Sequence, residues 1–233
     1  MNQQGAFEYN VDVIMCIDAT RSMVPFLDEV KKKALGFYPL LCDAMNRQGM
    51  SVEHVRVKVI AFRDYSCDDQ PMLESEFYSL PEDDEAFHSF LAGIKPIGGG
   101  DYPENSLEAI ALALKSRWTT SGDKRRHVIV VFTDDAALPL GDSKRVKSSL
   151  YPAGMPKTLE ELGDWWAGYS QELGSTYEAR AGRMVIYAPE KYPWDKMPAW
   201  ERVWIAYSDA GNGLSEVEMK MVVDLVAHTI EEV

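Results

Sequence analysis

Short apolar segments alternate with longer stretches of helical periodicity along most of the chain, and this alternation is the feature that most constrains the fold. Val11–Ile17 and His127–Thr133 are long enough for buried strands and too short for helices. Between such segments, apolar residues recur every three or four positions, which is the spacing of one helix face. The first such stretch starts at Met23, with a kink expected near Pro39, and carries Leu27, Val30, Ala34, Phe37, Leu41 and Met45. Strands that alternate with helices predict a doubly wound α/β fold, with a mostly parallel central sheet and helices on both faces.

The remaining predicted elements continue the same alternation. Further strands are expected at Val55–Ala61, Phe77–Leu80, Met184–Ala188 and Val203–Tyr207. Further helices are expected at Pro81–Gly93, Leu107–Leu114, Leu159–Gln171 and Ser215–Glu232. The chain has no internal repeat and no low-complexity linker, so we expect an N-terminal tail over residues 1–8 and a single domain over residues 9–233.

The charge of the chain excludes two classes of partner. Lys and Arg number 24 against 37 Asp and Glu, which gives a formal net charge of −13. Binding to a nucleic-acid backbone or to an anionic membrane needs clustered Lys and Arg, so neither partner is expected. The dense basic runs, Lys31–Lys33 and Lys124–Arg126, are short and predict a solvated helix face or strand edge.

Cysteine usage and hydropathy predict the compartment. Cys16, Cys42 and Cys67 are odd in number and have no Cys-x-x-Cys spacing, so neither a disulfide framework nor a zinc ribbon is indicated. The N-terminal residues do not resemble a secretory signal, and no apolar run reaches the roughly 18 residues of a membrane span. We therefore expect a cytoplasmic protein without membrane contact.

Oxygen-bearing side chains are concentrated where strands end. In an open α/β sheet, ligands bind outside the carboxyl ends of the strands. The first strand runs into Asp18, Thr20 and Ser22, spaced so that a loop can turn three oxygens toward one point, and Thr133–Asp134 ends a later strand. Between them, a flexible Gly98–Glu104 loop precedes a helix. Carboxylates and hydroxyls without His or Cys form a set of hard oxygen ligands, which suits Mg²⁺, Ca²⁺ or Mn²⁺.

These motifs together resemble the metal-ion-dependent adhesion site (MIDAS) of von Willebrand factor A (vWA) domains. Asp18-x-Thr20-x-Ser22 is similar to that family's Asp-x-Ser-x-Ser, and the glycine loop and Thr133–Asp134 follow in the order such domains show. Phe62–Tyr65 and the Gly-Gly-Gly-Asp-x-Pro-Glu loop make the resemblance closest to intracellular, bacterial stand-alone and kinase-associated members. The motifs cover residues 9–140, and the rest of the chain matches only by its α/β pattern.

The resemblance implies a ligand set for the metal. Asp18, Thr20 and Ser22 would hold the ion directly or through water, and Asp134 would be a further, often water-mediated, ligand. Glu104 stands where the family frequently has threonine, which adds negative charge to the metal and lowers its attraction for an incoming carboxylate. Asp101 is open to three interpretations, as a ligand, a residue of a second metal site or a helix N-cap. The connection over residues 141–182 exceeds what such a domain needs, and we expect an insertion that packs beside the metal face.

The sequence lacks the common enzyme signatures. A haloacid-dehalogenase-type phosphotransferase needs a second acid two residues after its first-strand Asp, and Thr20 occupies that position. The chain contains no Gly-x-Ser-x-Gly elbow, no paired-histidine metal motif, no Gly-x-Gly-x-x-Gly and no Walker motif. The sequence therefore favours a non-enzymatic interaction or scaffold module, in which an Asp or Glu of a protein partner completes the coordination of a Mg²⁺-type ion.

Two other functions are consistent with the sequence. One is a divalent-metal-dependent hydrolase or phosphotransferase that uses the same acidic crevice, and another is a structural subunit with a vestigial metal site. The partner could be a kinase, a phosphatase or an ATPase, and the sequence leaves the oligomeric state open. Five tryptophans in the C-terminal third are either core residues or contacts for a partner: Trp165, Trp166, Trp194, Trp200 and Trp204.

Overall fold

A seven-stranded mixed sheet lies at the centre of the protein in a computed structural model, which describes residues 9–47, 52–100, 103–173 and 176–207. The strands are β1 (Tyr9–Asp18), β2 (Val52–Phe62), β3 (Met72–Glu74), β4 (Tyr78–Leu80), β5 (Lys124–Phe132), β6 (Gly182–Ala188) and β7 (Val203–Tyr207). Their order is β3-β2-β1-β5-β6-β7, and β4 also pairs with β2. The five long strands are parallel, and β3 and β4 are antiparallel to β2. The predicted fold class is confirmed.

Four α-helices occur in the described part of the chain, and they cover both faces of the sheet. They are α1 (Leu27–Arg47), α2 (Asp84–Gly93), α3 (Ser106–Leu114) and α4 (Leu159–Trp166). Alternate residues of β1 enter two separate cores. Val13 and Met15 pack with α1 and α2, and Ile14 and Cys16 pack with α3 and α4. Strands that are apolar on both sides are typical of parallel sheets covered by helices.

Several boundaries differ from the predictions. Helix α2 begins at Asp84 rather than Pro81, and α4 ends at Trp166 rather than Gln171. The early end of α4 follows from Gly168, which adopts a left-handed φ of 81° and donates its N–H to the carbonyl of Trp165. Strand β3 was not predicted, because three residues are too few to show an alternation. The predicted tail 1–8 and the predicted helix Ser215–Glu232 lie outside the described residues.

Two predictions about side-chain burial have different outcomes. Trp165, Trp166 and Trp194 are core residues in the layer formed by α3 and α4, so the core interpretation is confirmed for them. The interpretation of Lys124–Arg126 as a solvated strand edge is wrong for Arg126, which is only 3% exposed at the start of β5.

The parallel register brings three strand ends side by side. Asp18 pairs with Phe62, and Ile17 pairs with Phe132. Asp18, Arg63 and Thr133 therefore lie next to one another at the carboxyl edge of the sheet. None of the described helices has the length and apolar character needed to cross a membrane.

A candidate metal site at the carboxyl edge of the sheet

The loop after β1 turns its polar side chains toward one another. The Asp18 carboxylate accepts hydrogen bonds from the backbone N–H of Thr20 at 3.0 Å and from the Thr20 hydroxyl at 2.6 Å. The hydroxyls of Thr20 and Ser22 lie 3.0 Å apart. Asp18 is fully buried, so its carboxylate is held by the loop and is not solvated. The three oxygens predicted from the spacing of two residues are thus adjacent.

The end of β5 completes this network. Thr133 donates its hydroxyl hydrogen to Asp18 Oδ2 at 2.9 Å, and Ser22 donates to Asp134 Oδ1 at 3.0 Å. Asp18 thus uses one oxygen toward its own loop and the other toward β5. Four of the predicted site residues belong to this one network: Asp18, Thr20, Ser22 and Asp134.

Glu104, the fifth predicted residue, lies beside the same network, with Gly99 between it and Thr20. Gly99 has a left-handed φ of 71°, and a Cβ atom there would lie 2.7 Å from Glu104 Oε1 and 3.0 Å from Thr20 Cβ. Only glycine therefore fits between Glu104 and Thr20. The backbone carbonyl of Glu104 accepts a hydrogen bond from the N–H of Leu138 at 3.1 Å, which joins this loop to the one after β5.

The sixth predicted residue, Asp101, lies outside the described residues, so its roles as a ligand or second-metal residue stay predictions. Helix α3 itself begins at Ser106 and has Asn105 at its N-cap position.

The carboxylates of the site hold protons more tightly than ordinary ones. Burial, together with the nearby charge of Asp134, raises the pKa of Asp18 to about 7. Burial and the charge of Asp18 raise the pKa of Glu104 to about 8. Burial also raises the pKa of Asp134. Three carboxylates that disfavour each other's ionisation form a site where a cation would relieve the repulsion.

Arg63 organises the loops around this site, and the sequence did not assign it a role. Its guanidinium donates to the carbonyls of Ala19 at 3.2 Å, Gln70 at 2.8 Å and Lys95 at 3.0 Å. These carbonyls belong to the loop after β1, the loop before β3 and the loop after α2. One buried side chain therefore connects three segments. The only signal in the sequence was its position within Phe62–Tyr65.

Asp64 and Arg145 form a second buried contact near the site. Arg145 Nη2 lies 2.7 Å from Asp64 Oδ2, and both side chains are almost completely buried. Asp64 is not among the predicted ligands, and its side chain is buried. Arg145 carried no signal in the sequence, because it reaches the site across 81 positions of the chain.

Asp68 connects Asp64 to the glycine loop. Its Oδ2 accepts hydrogen bonds from the N–H groups of Asp64 at 3.0 Å and Gly99 at 3.1 Å. The sequence assigned no role to Asp68. Its carboxylate therefore helps to hold Gly99 in its position between Glu104 and Thr20.

The donor chemistry of the site fits a Mg²⁺-type ion. Hydroxyl and carboxylate oxygens are the ligands that hard divalent cations prefer. Glu104 Oε2 is buried and has no hydrogen-bond partner among the described residues, which leaves an oxygen lone pair unused. In those residues no three His, Cys, Asp or Glu side chains form a metal-holding group, so a cation here would also need the hydroxyls of Thr20 and Ser22 as donors.

The fold and site together define an α/β domain with a carboxylate–hydroxyl cluster at its parallel edge. Comparison with known families gives the particular one: the profile described as von Willebrand factor A domain matches residues 12–150, and the chain belongs to that family. Domains of this family are typically adhesion or interaction modules. A comparison with curated proteins found no match.

Solved structures with a similar fold include the pilus adhesin SpaC from Lactobacillus rhamnosus GG. One SpaC structure aligns with a TM-score of 0.58 at 10% identity, over 97% of this chain and 32% of SpaC. The open conformation of SpaC aligns with a TM-score of 0.55 at 11% identity, over 97% of this chain and 31% of SpaC. This chain therefore spans about a third of the length of SpaC, and identities of this size show the fold alone.

Proposed function

We propose that this protein is a divalent-metal-dependent interaction module, in which a carboxylate of a protein partner completes the coordination of a Mg²⁺-type ion at the carboxyl edge. The observation that carries the proposal is the continuous network of Asp18, Thr20, Ser22 and Asp134, contributed by two strand ends. When bound, the metal would supply a positive charge that attracts the partner's carboxylate. The chain's own residues hold the ion and shape the surface around it.

The surface next to the network supports a protein as the partner. Val24 and Ile97 are large apolar residues that are 57% and 55% exposed. Ile97 donates its backbone N–H to the Ala19 carbonyl at 3.1 Å. Arg21 donates its backbone N–H to the Gly98 carbonyl at 3.3 Å, and its side chain is exposed. Exposed apolar residues beside a polar centre are typical of interaction surfaces. Arg21 adds a cation that favours an acidic partner.

Isothermal titration of Mg²⁺ into chelator-treated protein tests the metal site. We expect one site in the wild type, loss of binding in Asp18→Ala and weaker binding in Ser22→Ala. Asp28→Asn, an exposed carboxylate of α1, serves as the control of equal charge and should bind like the wild type. Circular dichroism of each variant checks that it is folded. Equal Mg²⁺ binding by the wild type, Asp18→Ala and Ser22→Ala would show that the metal does not bind at this site.

A second measurement tests the binding of the partner separately from the binding of the metal. An acidic peptide should bind in Mg²⁺ and be released by EDTA, and Ile97→Asp should weaken peptide binding while leaving the affinity for Mg²⁺ close to that of the wild type. If Ile97→Asp binds the acidic peptide like the wild type, the surface around Ile97 is not where the partner binds.

The proposal also includes the compartment and the class of partner. A cytoplasmic location is supported by the three cysteines, all of which are free. The resemblance to intracellular and kinase-associated members makes a kinase, phosphatase or ATPase the first partners to test by co-purification with and without Mg²⁺. The position of His127 supports a role in binding without catalysis. Its ring stacks on Trp118 near the amino end of the sheet, so it is too far from the network to act there as a base.

A further inference from the structure

A cavity lies at the opposite end of the molecule from the candidate metal site. It has a volume of about 400 Å³ and lies between α4 and the residues that precede β7. Since β7 is parallel to β1, the start of β7 is at the amino edge of the sheet, whereas Asp18 is at the carboxyl edge. The volume falls within the range of small-ligand and side-chain pockets.

One wall of the cavity is Trp200, which lies directly against the backbone of α4. A Cβ atom at Gly163 would lie 3.3 Å from two ring carbons of Trp200 and 3.4 Å from its Nε1. Gly163 is inside a helix, where glycine costs about 1 kcal/mol relative to alanine. The glycine allows the indole to approach the helix closely. Trp166 forms the floor and is fixed by a 2.8 Å hydrogen bond from its Nε1 to the carbonyl of Glu201.

The lining also includes Tyr169, which is 81% exposed. Its position is set by the end of α4. Gly168 adopts a φ of 81°, and the N–H of Tyr169 donates to the carbonyl of Asp164 at 2.9 Å. This backbone arrangement is a Schellman-type helix end, which holds the following residue in a defined direction. An exposed aromatic ring on a rigid backbone is suited to contact a ligand rather than to fill a core.

The lining is acidic as well as aromatic. The charged residues of the lining are three carboxylates, Glu160, Asp164 and Glu201, and one cation, Arg202. Arg202 Nη1 pairs with Glu201 Oε2 at 2.9 Å, so these two charges offset each other. Glu160 and Asp164 are exposed and form no ion pair with any residue in the described ranges. Two carboxylates beside two aromatic rings remain available to a ligand.

We infer that this cavity binds the side chain of an arginine presented by a basic peptide segment of a protein partner. A guanidinium is planar, so it can stack on the rings of Trp200 and Tyr169 while its N–H groups reach Glu160 and Asp164. The formal charge of −13 on the whole chain attracts a basic segment toward this surface. The site is independent of the metal site, which lies at the other edge of the sheet and takes an acidic group.

The direct test measures binding of a fluorescein-labelled, N-acetylated tetra-arginine amide to the full chain by fluorescence polarisation, in EDTA. We expect wild-type binding to weaken about threefold in Tyr169→Ala and about threefold to tenfold in Glu160→Gln/Asp164→Asn, the sizes of exposed cation–π and ion-pair contacts. Both variants change only exposed side chains, so the fold should persist. Gly163→Ala displaces Trp200 and should also weaken binding.

A matched control separates the cavity from the overall charge. Glu82→Gln/Glu85→Gln removes the same charge from exposed positions at and before the start of α2 and should bind tetra-arginine within about twofold of the wild type. In ¹H–¹⁵N spectra, the indole signal of Trp200 should shift on addition of tetra-arginine. The inference fails if the control weakens binding as much as Glu160→Gln/Asp164→Asn does, or if Tyr169→Ala binds like the wild type.

Discussion

Arg63 and the Asp64–Arg145 pair show how single buried charges organise the carboxyl edge. Burial lowers the pKa of Arg63, yet its guanidinium stays charged because the ordinary pKa of arginine is far above neutral pH. The cost of burying that charge is offset by hydrogen bonds to three backbone carbonyls. Since those carbonyls belong to three different loops, one residue helps to fix their relative positions.

Replacing Arg63 should therefore affect both stability and metal binding. Arg63→Met removes three buried hydrogen bonds, although the N–H of Ile97 still contacts the carbonyls of Ala19 and Lys95, and we expect the free energy of unfolding to fall by about 2–4 kcal/mol. The affinity for Mg²⁺ should fall as well, because the loop after β1 loses its contact with Arg63. Urea denaturation and Mg²⁺ titration measure the two effects. Arg47→Met, at a side chain that is 66% exposed, is the control and should change neither quantity appreciably.

The buried pair should be strongly coupled. Arg145→Met leaves the buried Asp64 carboxylate without its cation and should lower the free energy of unfolding by about 3–5 kcal/mol. Asp64→Ala should cost less, because Arg145 keeps its ion pair with Asp142 at 3.2 Å. The double variant should lose much less than the sum of the two. The exposed pair Asp43–Arg47, treated in the same double-mutant cycle, should show coupling below about 1 kcal/mol. Additive losses for Asp64 and Arg145 would contradict the structural role of this pair.

At the scale of elements, helices α1 and α4 each contain an internal glycine, for different reasons. A Cβ atom at Gly36 of α1 would meet nothing within 4 Å, whereas one at Gly163 of α4 would meet the indole of Trp200. The glycine in α1 therefore only weakens its helix. The glycine in α4 allows a close tertiary contact.

Alanine substitutions distinguish the two glycines. Gly36→Ala should raise the free energy of unfolding by about 0.5–1 kcal/mol, because alanine favours the helix and restricts the unfolded chain. Gly163→Ala should give no such gain, since the Trp200 ring has to move by a few tenths of an ångström. Urea denaturation measures both variants, and the indole signal of Trp200 should shift only in Gly163→Ala. Equal stabilisation by both would show that the contact with Trp200 is loose.

At the scale of the whole molecule, the acidic cluster should couple metal binding to pH and stability. The folded-state pKa values of about 7 for Asp18 and about 8 for Glu104 lie above those of the unfolded chain. The folded state therefore holds more protons between roughly pH 4 and pH 8. Without metal, this contribution to stability is present at the acidic end of that window and is lost as the pH rises. A divalent ion, which binds the ionised carboxylates, has the opposite dependence.

Thermal unfolding at pH 5.5 and pH 8 checks this sign. Mg²⁺ should raise the Tm much more at pH 8 than at pH 5.5. At a free concentration of 100 times its Kd, the ion contributes about 2.7 kcal/mol to the free energy of unfolding. In metal-free protein, Asp18→Asn should flatten the decline in Tm between the two pH values. A Mg²⁺ effect of equal size at both pH values would contradict the involvement of Asp18 and Glu104.

The fold was predictable because its determinants are local. The continuous apolar run of β1 and the periodicity of α1 reflect which side chains must be buried, and that requirement is visible over a few residues. Strand β3 was not predictable, because its three residues become a strand only by pairing with β2. The end of α4 was predicted too late, because the apolar periodicity continues past Gly168.

By itself, the sequence determined the doubly wound α/β architecture and the order of Asp18, Thr20, Ser22, Glu104 and Asp134 along it. Parallel strands then bring those residues to one edge, so their proximity follows from the fold class. Only the tertiary structure decided how that edge is held together. Arg63 donates to three separate loops, Arg145 crosses 81 positions to reach Asp64, and Gly99 fits between Glu104 and Thr20. Such contacts depend on where loops meet in space, and neither periodicity nor spacing along the chain carries that information.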